Sequence, residues 1–94
     1  GFRLEQNYPN PFNPTTTIEF TLTTPSSVSL RIYDLTGREV ASLINNDLLE
    51  DGFHAVDFDA DNLSSGIYFY RMLTNPLDDA EVPKAFVRKM VLVK

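Results

Sequence analysis

Apolar and polar residues alternate with a period of two along most of the chain, the spacing of strands whose two faces meet different surroundings. Ile18, Phe20 and Leu22 alternate with Thr17, Glu19 and Thr21, and after a turn at Thr24-Pro25-Ser26-Ser27 the residues Val28, Leu30 and Ile32 alternate with Ser29, Arg31 and Tyr33. Asp34-Leu35-Thr36-Gly37 reads as a turn in which Gly37 takes a positive φ. A third strand is expected around Glu39 to Ile44, closed by Asn45-Asn46-Asp47. Asp51-Gly52 then opens a strand with His54, Val56 and Phe58 on one face and Phe53, Ala55 and Asp57 on the other. Tyr68, Tyr70 and Met72 share a face after Ser64-Ser65-Gly66, and in a last strand, Phe86 to Val93, Met90 and Leu92 oppose Val91 and Val93. No window of about eleven residues carries a helical period.

Short strands recurring at about ten-residue intervals predict an all-β fold, an antiparallel immunoglobulin-like β-sandwich of about seven short strands. Two such sheets bury their apolar faces against each other without any helix. Leu63 to Tyr68 falls where these folds place a tyrosine corner, which would bury the Tyr68 ring and bond its hydroxyl to backbone; the alternative is a core aromatic whose hydroxyl reaches water. At 94 residues, 43% of them hydrophobic and 12% aromatic, residues 1–94 form a single domain in this reading, able to fold alone as a monomer.

Three of the six prolines stand in Tyr8-Pro9-Asn10-Pro11-Phe12-Asn13-Pro14. Each fixes φ, removes a donor and restricts the residue before it, so no helix forms there and a stiff extended segment is expected. It presents one ring, Phe12, with Asn10 and Asn13 free to bond nearby backbone. Phe12 either plugs the end of the sandwich or stands exposed as a recognition ring.

Charge and residue chemistry narrow the function. The net charge of −5 argues against nucleic acid or an anionic membrane surface as partner, because both need a basic patch. With no cysteine there is neither a disulfide scaffold nor a thiolate site. No basic-then-apolar leader and no membrane-spanning apolar run is visible, and a chain opening at Gly1 reads as a fragment of a longer protein. His54 is the only histidine, and its alternation with Val56 and Phe58 marks a packed strand residue rather than the base of a triad. Asp57, Asp59 and Asp61 resemble the opening of a calcium loop, but Asn62 replaces its turning glycine and Tyr68 its bidentate glutamate. A solvated strand face and turn explain them better. Asp78, Asp79 and Glu81 read as a solvated loop tip. No catalytic residue, cofactor site or metal site is assigned.

Four stretches in order carry a resemblance: Asn7 to Ile18 with Asn10, Pro11, Phe12, Asn13 and Pro14; Val28 to Val40 with Asp34 and Gly37; Ser65 to Arg71 with Gly66 and Tyr68; and the ending Lys89, Met90, Val91, Leu92, Val93 and Lys94. Together they resemble the type A C-terminal sorting domain of the bacterial type IX secretion system. Asn75 to Phe86 departs from it, being longer and more acidic than the family's tight hairpin. The resemblance implies a non-catalytic C-terminal secretion signal, covalently linked to an upstream passenger. It implies transit through the periplasm, recognition by an outer-membrane translocon, removal by a sortase-like cysteine protease, and delivery to the cell surface or the extracellular space. The alternative is a passive immunoglobulin-like spacer or binding module, similar to the related domain of flagellar hook-capping proteins. A sorting signal must be terminal, and a chain that stops at Lys94 directly after a strand favours the signal.

Two further expectations concern how such a domain is read. A terminal edge strand offers unpaired backbone to a receptor. Lys84, Arg88, Lys89 and Lys94, gathered at the end of an acidic chain, would steer a partner or guard that edge.

Overall fold

The computed structural model describes residues 2–79 and 81–94. Seven strands follow one another: β1 (Arg3–Leu4), β2 (Thr15–Leu22), β3 (Ser26–Asp34), β4 (Glu39–Leu49), β5 (Gly52–Asp59), β6 (Gly66–Pro76) and β7 (Lys84–Leu92). Among the described residues there is no helix, hence none long and apolar enough to cross a membrane. All strand pairs are antiparallel and form a three-stranded sheet, β1-β2-β5, and a four-stranded sheet, β4-β3-β6-β7. The two pack as an immunoglobulin-like sandwich.

The alternation read from the sequence sets the inner faces. Ile18, Phe20 and Leu22 from β2, Val28, Leu30 and Ile32 from β3, Tyr70 and Met72 from β6, and Met90 and Leu92 from β7 are all buried in one cluster. Burying each large apolar side chain contributes about 1.5–3 kcal/mol relative to leaving it exposed. The cluster extends to Leu4, Phe12 and Phe58. His54 stacks on the buried Phe20 ring at 5.2 Å between centroids, as expected of a packed strand residue.

The third strand does not stop at Ile44. It continues through Asn45-Asn46-Asp47 to Leu49, and its pairing with β3 slips at three places. Asn46 adopts a φ of 56°, a left-handed conformation that asparagine tolerates better than most side chains. Its amide donates to the Ser29 hydroxyl at 3.1 Å, and its side-chain oxygen accepts from the Ser27 hydroxyl at 2.9 Å. A sequence that looks like a turn is therefore a bulge.

The acidic segment between β6 and β7 leaves the ladder after the pair Thr74 and Lys84. The Leu77 amide donates to the Pro25 carbonyl at 3.1 Å, which ties this loop to the β2–β3 turn. Asp78 and Asp79 are exposed, while Glu81 is half-buried.

Candidate functional site

The proline run is bent rather than extended. Tyr8-Pro9, Asn10-Pro11 and Asn13-Pro14 are cis peptide bonds, and the chain bends repeatedly between Pro9 and Pro14. Each end of the run has its own anchor. Tyr8 exchanges two backbone bonds with Thr17 of β2, at 3.0 and 2.9 Å. The buried Asn7 amide group donates to the Pro9 carbonyl and the Thr16 hydroxyl, and that hydroxyl also donates to the Pro9 carbonyl at 2.8 Å.

The other anchor is the last strand. Phe12 forms a parallel bridge to Leu92: its amide donates to the Val91 carbonyl at 3.0 Å and its carbonyl accepts from the Val93 amide at 2.9 Å. The Asn10 side-chain oxygen accepts from the Val91 amide at 3.0 Å. Phe12 is a plug rather than an exposed recognition ring, being 2% exposed with its ring 6.3 Å from that of Phe58. The exposed ring of the run is Tyr8, at 81%. Pro14 accepts from the Ala60 amide at 2.8 Å, while Pro11 and Asn13 lie on the surface.

Further contacts with the N-terminal segment are made at Lys84, Arg88 and Lys89. The Lys84 ammonium sits over the Phe2 ring at 5.7 Å, the Arg88 guanidinium donates to the Leu4 carbonyl at 2.7 Å, and the Gln6 side chain donates to the Lys89 carbonyl at 2.7 Å. Gln6, Asn10 and Phe12 thus bond the outer edge of the chain from Lys89 to Val93, so that end of the edge is not free, while Lys84 and Arg88 meet the N-terminal segment through their side chains. Three of the four clustered basic residues have structural roles: Lys84 and Arg88 as above, and Lys94, whose ammonium donates to the Asp61 and Leu63 carbonyls. The Lys94 amide donates to the Ser65 hydroxyl at 2.9 Å.

Behind this seam, Tyr70 joins the N-terminal segment to β6. Its hydroxyl accepts from the Asn7 amide at 2.8 Å and donates to the Glu5 carbonyl at 2.7 Å. Burial, partly offset by the Asn7 bond and by Arg88, pushes the phenol up to about 12. Sequence reasoning missed Phe2, Leu4 and Gln6, and gave Asn7 no role beyond opening the motif stretch. The one available signal was the alternation of buried Phe2 and Leu4 with Arg3 and Glu5.

The remaining motif residues gather at the same end of the sandwich. Across the four-stranded sheet, Asp34 pairs with Tyr68 and Tyr68 with Met90; beside them Gly66 pairs with Leu92, which bridges to Phe12. Tyr68 forms the corner expected of it, with its ring buried and its hydroxyl donating to the Ser64 carbonyl at 2.7 Å. The Asp34 carboxylate accepts from the Thr36 hydroxyl at 2.6 Å, the Thr36 amide at 2.9 Å and the Arg38 amide at 3.0 Å, with the Arg38 guanidinium 3.3 Å away. These bonds, the Thr36 hydroxyl first, hold its pKa below the usual carboxylate value. Gly37 closes the turn at a φ of 87°.

Asp57 accepts from the Thr17 hydroxyl at 2.8 Å and Asp59 accepts from the Asp61 amide at 3.0 Å, so two of the three aspartates serve local structure. Among the described residues, no group of three or more His, Asp or Glu side chains is placed to hold a metal ion.

The secretion system C-terminal sorting domain family matches residues 6–82, which take in the proline run, the Asp34–Gly37 turn and the Gly66–Tyr68 corner. No curated protein matches the chain. The match ends before β7, yet the bonds of Asn10 and Phe12 tie the matched proline run to Val91 and Val93. The chain belongs to the C-terminal sorting domain family of the type IX secretion system, and as a secretion sorting signal it serves export to the cell surface or the extracellular space.

Proposed function

We propose that the folded sandwich is the form in which the signal is read: it accompanies a covalently linked upstream passenger through the periplasm and is recognised by the outer-membrane type IX translocon. A sortase-like cysteine protease then removes it. The domain acts in this sequence as substrate, not as catalyst. The observation that carries the reading is the seam between Asn10–Phe12 and Val91–Val93. Two stretches from opposite ends of the chain become neighbours only on folding, so a receptor that reads both together accepts folded cargo and passes over unfolded chains.

The test is a fusion of residues 1–94 to the C-terminus of a stably folded periplasmic reporter, in a bacterium with a working type IX system. The reporter is expected on the surface or in the medium, with a mass showing that the domain has been removed. The same domain at the reporter's N-terminus is expected to leave it in the periplasm. Equal export from both positions would contradict a terminal sorting signal and favour a passive spacer.

A further inference from the structure

The outer faces of the two sheets carry opposite charge. On the three-stranded sheet the outward residues include Glu19, Asp57 and Asp59, together with Glu5, whose partner is Arg3 at 3.1 Å. On the four-stranded sheet the buried Leu30, Ile32, Tyr70, Met72 and Met90 fix the opposite set outward: Arg31 and Tyr33, Phe69 and Arg71, Val87 and Lys89.

Register places Arg31 directly opposite Arg71, with Val87 next in the row; Tyr33, Phe69 and Lys89 form the adjoining row. Like charges directly across a ladder are destabilising. Arg31 is compensated from one side, by Glu39 at 3.8 Å and by the Asn45 side-chain oxygen at 2.7 Å. Arg71 and Lys89 have no carboxylate partner among the described residues. Beside them lie exposed apolar side chains, Val87 at 60% and Ile67 at 38%. A chain of net charge −5 thus keeps an uncompensated cationic pair beside exposed apolar surface on one outer face.

We propose that the outer face of the four-stranded sheet, centred on Arg31, Arg71, Phe69 and Val87, is the surface by which the domain docks on a protein that presents carboxylates around an apolar patch. The inference rests on the reading of the chain as a domain recognised by an outer-membrane translocon. A carboxylate between the two guanidiniums would relieve their repulsion and gain charge-assisted bonds, while the acidic face opposite would repel the same partner and fix its orientation.

Arg71→Glu tests this against Arg3→Glu, the same change on an exposed arginine of the opposite face, in the reporter fusion described above. Arg71→Glu turns a like-charge pair into an opposite one, so its melting temperature should equal or exceed that of the parent. Its export should nevertheless fall by about tenfold or more, because like charges now meet at the interface. Lys89→Glu should behave in the same direction, and Arg3→Glu should export like the parent. If the parent is exported and Arg71→Glu is exported equally well, the docking face is wrong while the sorting reading stands. If the parent is not exported, both fail. A purified parent fusion that forms chains of increasing length with concentration, lost in Arg71→Glu, would overturn the proposal in favour of head-to-tail self-association through the two oppositely charged faces.

Discussion

Phe12 and Val91 meet through a 3.0 Å backbone hydrogen bond, and the Phe12 carbonyl holds the next outward amide, that of Val93. The bond joins the proline run to the end of the last strand, so the stability of one should be measurable at the other. Both Phe12 backbone polar groups face the end of the last strand while its ring enters the core.

Phe12→Ala should destabilise the domain by about 3 kcal/mol, as expected for truncating a buried phenylalanine, whereas Phe12→Leu should cost about 1 kcal/mol. Denaturant unfolding measures both. Hydrogen exchange at the Val93 amide should accelerate in Phe12→Ala more than exchange at the Ile18 amide. A stability unchanged by Phe12→Ala would contradict the plug.

Asn10 and Asn13 look alike in sequence but differ in the fold. Asn10→Ala removes the acceptor of the Val91 amide and should cost about 1 kcal/mol, while Asn13→Ala, on the surface, should stay within about 0.5 kcal/mol of the parent. Thermal melts of the two single variants decide the matter, and equal losses would mean that Asn10 does not hold β7.

Tyr70 makes stability depend on high pH. Its folded pKa of about 12 lies above the ordinary phenol value of 10.0, so its contribution is complete below pH 10 and is lost as pH rises through 12. Ultraviolet titration of the phenols should show one tyrosine ionising late, together with loss of fold. Tyr70→Phe should remove the late step and should lower stability at neutral pH by about 1–3 kcal/mol, because the Asn7 amide loses its acceptor. A late step that survives in Tyr70→Phe would contradict the assignment.

Gly37 sits at a φ of 87° with open space where a Cβ would project. Gly37→Ala should therefore cost about 1 kcal/mol through backbone conformation alone, and Gly37→Asn less. Chemical denaturation of the two variants would expose a packing role if alanine and asparagine were equally harmful.

Much of the fold was legible because period-two alternation is local: Ile18, Phe20 and Leu22, or Tyr68, Tyr70 and Met72, announce a face without knowledge of what covers it. The turn at Gly37 and the corner at Tyr68 were readable for the same reason. Asn45-Asn46-Asp47 misled because residues that favour turns also tolerate the left-handed conformation of a bulge, and only pairing with Ser27 and Ser29 separates the two. The seam along β7 was hidden because it is non-local and made largely by backbone groups, Lys89 and Val91 among them, whose partners leave no periodic trace. Arg88 illustrates the same limit, since its charge left steering a partner and guarding the edge both open, and only the fold shows its guanidinium bonding the Leu4 carbonyl.

The most direct test of the account is the destination of a reporter fusion with and without Lys89 to Lys94. Truncation removes Val91 and Val93, the partners of Asn10 and Phe12, and with them the end of the last strand. The account predicts that the complete domain carries a folded periplasmic reporter across the outer membrane and that the truncated one leaves it intact in the periplasm. A complete domain that leaves the reporter in the periplasm, while other cargo of the same translocon is exported, would contradict it.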